Sequence, residues 1–268
     1  MSQNETALPR SGSAAAPPPA HCNSRASAGL TRIDALLAAR GLFESRAQAQ
    51  AAVRAGLVRV NGTVAHKAAQ LVAPDAALEA QAAHPYVSRG GVKLAHALDH
   101  FGLSPQGMAA LDIGASTGGF TQVLLARGAR HVTAVDVGHG QLHARLRADP
   151  RVTSLEKRDA RALSAGDLAE PAGFITCDVS FISLALVLEP VLRLAARDAI
   201  LAALVKPQFE AGRALVGRGV VRDEAVHRAV CDAAEALVAR LGWTSLGVTP
   251  SPIEGGDGNR EFLLAARR

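Results

Sequence analysis

The sequence predicts an α/β protein: a doubly wound sheet of seven strands, preceded by a small α+β module. Three observations support this prediction. Seven strand-like apolar runs alternate with helical patterns after residue 89, a glycine-rich turn follows the first of these runs, and the preceding segment contains short helical patterns and one tight hairpin signal. With 49% apolar residues among 268, the chain can bury a sizeable core.

Composition and pattern divide the chain into four segments. Residues 1–29 are rich in Ala, Ser and Pro and contain no continuous apolar stretch, which predicts a disordered tail and not a signal peptide. We expect the small module at residues 30–80, a connector at 81–88 and the sheet domain at 89–268.

The charge and the cysteine content limit which cellular compartment and which kinds of partner are expected. The formal net charge of +5 is compatible with an anionic partner but does not require one. The three cysteines show no CxxC or zinc-type spacing, so we expect a reducing cytoplasm and no metal site. The most apolar stretches are too short to span a bilayer, so we expect no association with a membrane.

The small module begins with two helical patterns. Thr31 and Ser45 precede the apolar residues of each pattern and are predicted to cap the two helices. The following segment alternates apolar and polar residues around Asn61-Gly62. Because both residue types tolerate the positive φ of a tight turn, this dipeptide predicts a β-hairpin.

Basic residues outnumber acidic ones in this module, with six against two between residues 31 and 67. Arginines on short helices beside a hairpin suit the phosphates of structured RNA, where affinity depends mainly on charge and shape. A solvated charged surface is the alternative. The residues expected to contact RNA are Arg32, Arg46, Arg54, Arg59 and Lys67.

The glycine-rich turn lies in LDIGASTGGF, residues 111–120, and the next apolar run ends at Asp136. Three residues separate Gly114 from Gly118, unlike the GxGxxG of dinucleotide-binding proteins, and no Lys follows Gly119 as in a P-loop. Carboxylates before the loop and after the second strand suit S-adenosylmethionine, while an ordinary βα turn is the alternative. The residues expected to bind this cofactor are Asp112, Gly114, Ala115, Ser116, Gly118, Gly119, Phe120, Asp136 and Asp159.

Charged residues follow several of the later strands. Asp178 ends the fourth strand, Lys206 ends the fifth, and Glu261 opens the seventh, while Lys93 lies in a helix after a glycine pair. Open α/β sheets bind ligands at the carboxyl ends of their strands, and ionisable groups beside buried strands need partners. We therefore expect the four residues to form a mutual cluster, although each residue taken alone is better explained as a separate salt bridge or surface charge.

The motifs RGGVKL, DVSFISL, LVKPQFEAG and GNREF resemble those of the TlyA family of S4-containing ribosomal RNA 2′-O-methyltransferases, which is related to the FtsJ type. In the small module, RIDALL, ESRAQAQAAVRAG and VNG resemble the S4 RNA-binding domain. The resemblance covers the chain from about Thr31 to the C-terminus. It implies a class I S-adenosylmethionine-dependent methyltransferase fold, S-adenosylhomocysteine as product, and cytidines of 16S or 23S ribosomal RNA, free or in ribosomal subunits, as targets.

The resemblance also implies a Lys-Asp-Lys-Glu tetrad around the target ribose hydroxyl. A 2′-hydroxyl is a poor acid, whereas the methylsulfonium of the cofactor is a strong electrophile, so the enzyme must chiefly orient and deprotonate the hydroxyl. We expect Lys206 to accept or steer the proton, while Asp178 and Glu261 hold its position. Glu254 is a rival for the last position of the tetrad, which falls on Lys93, Asp178, Lys206 and Glu261.

Other interpretations stay open. Cys177 keeps cytosine C5 methylation in play, although strand alternation points it away from Asp178. A non-catalytic RNA- or ribosome-binding scaffold would use the fold without methyl transfer, and a membrane-damaging protein is a further alternative because the family has carried a hemolysin label. A basic loop that contains Arg213, Arg218 and Arg222 either faces RNA or is an ordinary surface loop.

Overall fold

The computed structural model describes residues 29–212, 216, 219–255 and 258–268. The expected tail lies outside the described residues except for Gly29, and so do Arg213 and Arg218 of the expected basic loop. The described chain contains a small N-terminal module and a large sheet domain.

In the small module, two helices share one apolar core with short antiparallel strands. Its elements are β1 (Thr31–Arg32), α1 (Ile33–Ala39), α2 (Arg46–Arg54), β2 (Val58–Val60), β3 (Thr63–Val64), β4 (Leu71–Val72) and β5 (Leu78–Ala80). Strand β2 pairs with both β3 and β5, and β1 pairs with β4. The core is built from the apolar faces of both helices, with Ile33, Leu37 and Val53 fully or almost fully buried.

Local signals explain where these elements begin and turn. Asn61 and Gly62 have φ values of 50° and 80°, as the predicted hairpin turn requires. Ser45 caps α2 as predicted, its hydroxyl accepting a backbone N–H at 3.3 Å. The predicted cap at Thr31 is wrong. Thr31 lies in β1, and the first N–H of α1 donates to the backbone carbonyl of Gln70, so this helix start needs no side-chain acceptor.

The large domain contains the seven predicted strands in one sheet, in the order β11-β12-β10-β9-β6-β7-β8. They are β6 (Ala109–Ile113), β7 (His131–Asp136), β8 (Val152–Glu156), β9 (Ala172–Cys177), β10 (Ala195–Val205), β11 (Thr244–Pro250) and β12 (Phe262–Arg267). The five strands that lie side by side in the order β10-β9-β6-β7-β8 are parallel, whereas β12 is antiparallel to both β10 and β11. The predicted terminal hairpin is therefore confirmed.

Helices cover both faces of this sheet. They are α3 (Gly90–Phe101), α4 (Gly119–Ala126), α5 (Ala144–Arg147), α6 (Leu184–Leu192), α7 (Pro207–Glu210) and α8 (Glu224–Arg240), with 3-10 turns at Ala160–Ala162 and Ala165–Asp167. On β6, Leu111 and Ile113 pack in a core with α6 and α8, whereas Ala110 packs in a core with α3, α4 and α5. Strand alternation thus divides the apolar residues between two helix layers.

The order in which strands are added to the sheet changes direction between β6 and β9. Strands β7 and β8 are added on one side of β6, while β9 and β10 are added on the other. At such a switch point the connections leave in opposite directions and open a crevice at the carboxyl ends of the strands. Asp136, at the end of β7, and Asp178, just after β9, lie at this edge.

The small module contacts the large domain next to this crevice. Glu44, just before α2, lies 3.1 Å from Nε2 of His143 and 3.2 Å from Nη1 of Arg145 at the start of α5. In the connector, the N–H of Val87 donates to the side-chain oxygen of Gln122 in α4 at 2.7 Å. These contacts hold α2 beside the crevice.

Candidate active site

The loop that joins β6 to α4 forms the floor of the crevice. Gly114 has φ +79°, and a Cβ there would overlap the backbone carbonyl of Asp178, so glycine is required for β6 and β9 to approach this closely. A Cβ on Gly119, at the start of α4, would overlap the backbone of Gly91. These close approaches hold the N-terminal turn of α3, which carries Lys93, against the loop.

Asp112 lies beneath this loop and has no exposed surface. Its carboxylate oxygens accept hydrogen bonds from the hydroxyls of Thr121, at 2.6 Å, and Thr176, at 2.8 Å. Burial raises the pKa of the Asp112 carboxyl to about 6, against the opposing effect of these two hydrogen bonds. The side chain of Asp112 thus ties β6 to α4 and β9, and its contact with the cofactor stays a prediction.

A cavity of about 480 Å³ opens beside the loop, and we call it the cofactor cavity. Asp136 lies in its wall and accepts the backbone N–H groups of Ser116, at 2.8 Å, and Gly138, at 2.7 Å. Each carboxylate oxygen retains a lone pair for a further donor such as a hydroxyl group. Asp159 lines the same cavity, where hydrogen bonds from Arg161 lower the pKa of the Asp159 carboxyl. Apolar side chains complete the wall: Val135, Val137, Phe181, Ile182 and Val187.

A second cavity, of about 500 Å³, lies between the two domains, and we call it the interdomain cleft. Helix α2 forms one wall with Ser45, Gln48 and Arg54, while the loop after β6 and the start of α3 form the opposite wall. The cleft and the cofactor cavity meet, because three residues line both: Gly114, Ser116 and Asp178.

The structure distributes the predicted cofactor residues between these two spaces. Four line the cofactor cavity: Gly114, Ser116, Asp136 and Asp159. Three residues line the interdomain cleft without lining the cofactor cavity: Ala115, Gly119 and Phe120. Gly118 faces Leu142 and Leu146 with φ +96°, so its role is to let the segment before α5 pack against the loop.

Asp178, which lines both cavities, belongs to a lysine–carboxylate pair. Lys206, which follows β10, places Nζ 2.6 Å from Oδ1 of Asp178 and donates a hydrogen bond to Oγ of Ser180 at 2.8 Å. The side chain of Lys206 is only 10% exposed and that of Asp178 is 21% exposed. Because β9 and β10 are adjacent parallel strands, their ends bring these two groups together.

A second pair joins α3 to the start of β12. Nζ of Lys93 contacts Oε2 of Glu261, and the two side chains are 10% and 3% exposed. Lys93 also lines the interdomain cleft. Glu254 is exposed, and its backbone carbonyl accepts a hydrogen bond from Arg89. The buried pair with Lys93 favours Glu261 over Glu254 as the fourth member of the tetrad.

The residues expected to contact RNA are all exposed, but they differ in their partners. Arg32 and Arg46 both bind the buried carboxylate of Asp34, at 2.9 and 3.1 Å, and their hydrogen bonds hold the pKa of that carboxyl well below its usual range. Arg59 donates to the backbone carbonyl of Gly62 at 3.0 Å. Lys67 is exposed on the module, and Arg54 lines the interdomain cleft.

Phe181 lines the cofactor cavity, although no role was predicted for it from the sequence. It is 90% exposed and has φ +64°, which is a strained backbone conformation for a bulky residue. Its ring lies 5.0 Å from that of Phe209. The available signal was its place in DVSF, three residues after Asp178.

Cys177 faces the opposite side of β9, as strand alternation predicted. Its side chain is fully buried in the apolar core with α6 and α8, and this burial raises the pKa of the thiol. A buried thiol with a raised pKa is a poor nucleophile. Within the described residues, no cluster of His, Cys, Asp or Glu is arranged to hold a metal ion, and no helix is long and apolar enough to cross a membrane.

The strand order, the glycine loop and the polar groups at the switch point define an α/β methyltransferase domain with a small α+β module attached. The model of FtsJ-like methyltransferases matches residues 86–268, and that of the S4 domain matches residues 31–78. The chain therefore belongs to the TlyA family, in which an S4 domain precedes an FtsJ-like methyltransferase domain.

Known relatives match along most of the chain. It is 46% identical to the 16S/23S rRNA (cytidine-2′-O)-methyltransferase TlyA of Mycobacterium tuberculosis, over 88% of this chain and 89% of that protein. It is also 46% identical to the candidate rRNA methyltransferase YqxC of Bacillus subtilis, over 87% and 84%. A solved structure of a candidate hemolysin from Streptococcus thermophilus has a TM-score of 0.72 and 42% identity, and the match covers 90% of each chain.

Proposed function

We propose that this protein transfers a methyl group from S-adenosylmethionine to the ribose 2′-hydroxyl of cytidine in 16S or 23S ribosomal RNA. One observation carries the proposal: Asp178, which lines both the cofactor cavity and the interdomain cleft, is paired with the nearly buried Lys206. The relatives named as rRNA (cytidine-2′-O)-methyltransferases support the substrate class. Ribosomal RNA as the substrate also favours a cytoplasmic location.

The residues of the cofactor cavity fit an adenosine ligand without phosphates. Asp136 supplies carboxylate acceptors for ribose hydroxyls, Asp159 an acceptor for an adenine amino group, and the apolar wall a surface for the adenine ring. Neither arginine that lines this cavity is a free cation for a pyrophosphate, because Arg158 pairs with Asp167 and Arg161 with Asp159. When bound, the cofactor supplies a methyl group that is activated by a positively charged sulfur.

The chain then has two tasks, which are to orient the ribose hydroxyl and to take its proton. Lys206 is held by Asp178 and Ser180, so its ammonium has one defined position beside Asp178, which lines both cavities. A hydroxyl that enters from the interdomain cleft meets this pair: the ammonium of Lys206 orients its oxygen and stabilises the negative charge that develops there, and the carboxylate of Asp178 accepts the proton. Lys93 lines the interdomain cleft, and its pairing with Glu261 holds α3 against the start of β12.

RNA would enter between the domains, along a surface of cations and one exposed aromatic ring. The S4 domain supplies arginines for the phosphates of structured RNA. Phe181 lines the cofactor cavity but is 90% exposed, so it also offers a face on which an unstacked base can pack. Such a base leaves its ribose free to reach the Lys206–Asp178 pair.

Transfer of a labelled methyl group to purified ribosomal subunits and to naked ribosomal RNA tests this proposal, with nuclease digestion and mass spectrometry to locate the label. We expect label on the ribose of a cytidine, and loss of label with Lys206→Ala. Label on a base would contradict the proposal. Cofactor binding without transfer to any RNA would support the scaffold alternative, and release of dye from liposomes by the purified protein would support the membrane-damaging one.

A further inference from the structure

Arg54 differs from the other arginines of the S4 domain that we expected to contact RNA. Arg32 and Arg46 are bound to Asp34, and Arg59 is bound to a backbone carbonyl. The guanidinium of Arg54 makes no hydrogen bond or ion pair with any part of the chain that the structure describes, and its side chain is exposed. It is a free cation that lines the interdomain cleft.

The helix that presents Arg54 is fixed on the sheet domain. Ser45 caps the N-terminus of α2, and Glu44 holds that end against His143 and Arg145. Three apolar residues of α2 are buried in the core of the S4 domain, and Arg54 is the last residue of the helix. The guanidinium is therefore offered to the cleft from a defined place, at the cost of side-chain entropy alone.

The charges on the opposite side of the cleft indicate that Arg54 is the residue that would bind a phosphate group. Lys93 and Lys206 are each paired with a carboxylate, so the four tetrad side chains carry no net formal charge. A phosphate that enters the cleft is not attracted by the tetrad as a whole. Arg54 offers it a planar fork of donors that matches phosphate oxygens.

We propose that Arg54 is a positioning residue for methyl transfer, whose guanidinium holds a backbone phosphate next to the target nucleotide. This inference rests on the proposed function. Arg54 differs from residues that only bind RNA, because Arg54 and Asp178 line the same cavity. Holding the phosphate fixes the position of the attached ribose relative to Lys206, which a contact outside the cleft does not do.

Single-turnover methyl transfer at saturating RNA tests the inference with Arg54→Ala, Arg54→Lys and Arg197→Ala. We expect Arg54→Ala to slow transfer by about 10-fold to 100-fold, as loss of a hydrogen bond to a charged group predicts. Arg54→Lys should recover part of the rate. Arg197 is an exposed arginine near the start of β10 that lines neither cavity, so Arg197→Ala is the matched control and should keep the rate of the unmodified protein.

A matched measurement changes the RNA. One phosphate beside the target nucleotide, on its 3′ or its 5′ side, is replaced by an uncharged methylphosphonate. At one of these positions the unmodified protein should lose rate, while Arg54→Ala should lose no more than it has already lost. Additive losses at both positions, or a saturated rate for Arg54→Ala that equals that of Arg197→Ala, would overturn the inference and leave the proposed function intact. Absence of ribose methylation by the unmodified protein would overturn both.

Discussion

The buried carboxyl of Asp112 leads to a prediction about stability and pH. Asp112→Asn removes a group that must ionise without exposure to water, and it keeps the shape of the side chain. The amide oxygen can accept from the hydroxyl of one neighbouring threonine, and the amide nitrogen can donate to the other, so neither Thr121 nor Thr176 is left without a partner. We expect this variant to be more stable than the unmodified protein at neutral pH.

The size of the effect follows from the pKa. The pKa of Asp112 is about 6 in the folded protein against an ordinary value of 3.8. Because the folded protein binds this proton more tightly, the contribution of Asp112 to stability is highest below pH 3.8, falls as the pH rises from 3.8 to about 6, and is constant above that. At about 1.4 kcal/mol for each pKa unit, the variant should gain about 3 kcal/mol relative to the unmodified protein between pH 3.5 and pH 7.

Thermal and denaturant unfolding of both proteins at several pH values measure this difference. Carboxylates elsewhere titrate equally in the two proteins and cancel, so the difference isolates position 112. For a domain of this size, about 3 kcal/mol corresponds to about 6–12 °C in Tm. A difference that does not change with pH, or an asparagine variant that is less stable throughout, would refute the reasoning. Cofactor affinity is a second readout: it should fall less with Asp112→Asn than with Asp136→Asn, because only Asp136 lines the cofactor cavity.

Three further predictions concern the site. Lys206→Ala should lower methyl transfer by at least about 100-fold, because the transfer of the hydroxyl proton is impaired. Calorimetry should find cofactor affinity nearly unchanged. Equal loss of transfer and of cofactor affinity would place Lys206 in the cofactor site. Glu261→Leu should destabilise the protein by about 3–5 kcal/mol because it leaves Lys93 buried and unpaired, and adding Lys93→Met should restore the melting temperature without restoring transfer. Phe181→Ala should weaken RNA binding by about 1–3 kcal/mol in a binding titration, with little loss of stability because the ring is exposed; a loss of cofactor affinity alone would contradict its assignment to RNA.

The sheet could be predicted because its signals are local. Each strand is an apolar run of the right length, and the turns between elements carry glycine or capping residues that limit the backbone choices, as at Gly114 and Asn61-Gly62. The predicted cap at Thr31 is wrong because the contact that decides it is not local. Whether the first N–H groups of α1 need a side-chain acceptor depends on a backbone segment almost forty residues later, and sequence pattern does not report such a contact.

The four residues of the proposed tetrad were selected from the sequence, but the way in which they pair could not be predicted from it. Lys93 and Glu261 are separated by 168 positions and meet only because β12 enters the sheet between β10 and β11. We expected Glu261 to hold Lys206, whereas it holds Lys93. Likewise, the sequence placed Arg54 among several similar arginines, and only the packing of α2 on the sheet domain distinguishes it.

The way the pairs are distributed links catalysis to folding. One pair joins the ends of the neighbouring parallel strands β9 and β10, and the other joins α3 to the antiparallel strand β12. No pair lies within one element, so neither forms until the sheet is assembled. Once it is assembled, both pairs are held before any RNA arrives, and the chemical step needs little reorganisation of the protein. A shift of β12 by one residue against β10 would therefore reduce both transfer and stability, because Glu261 would no longer meet Lys93 and the buried apolar residues of β12 would change faces.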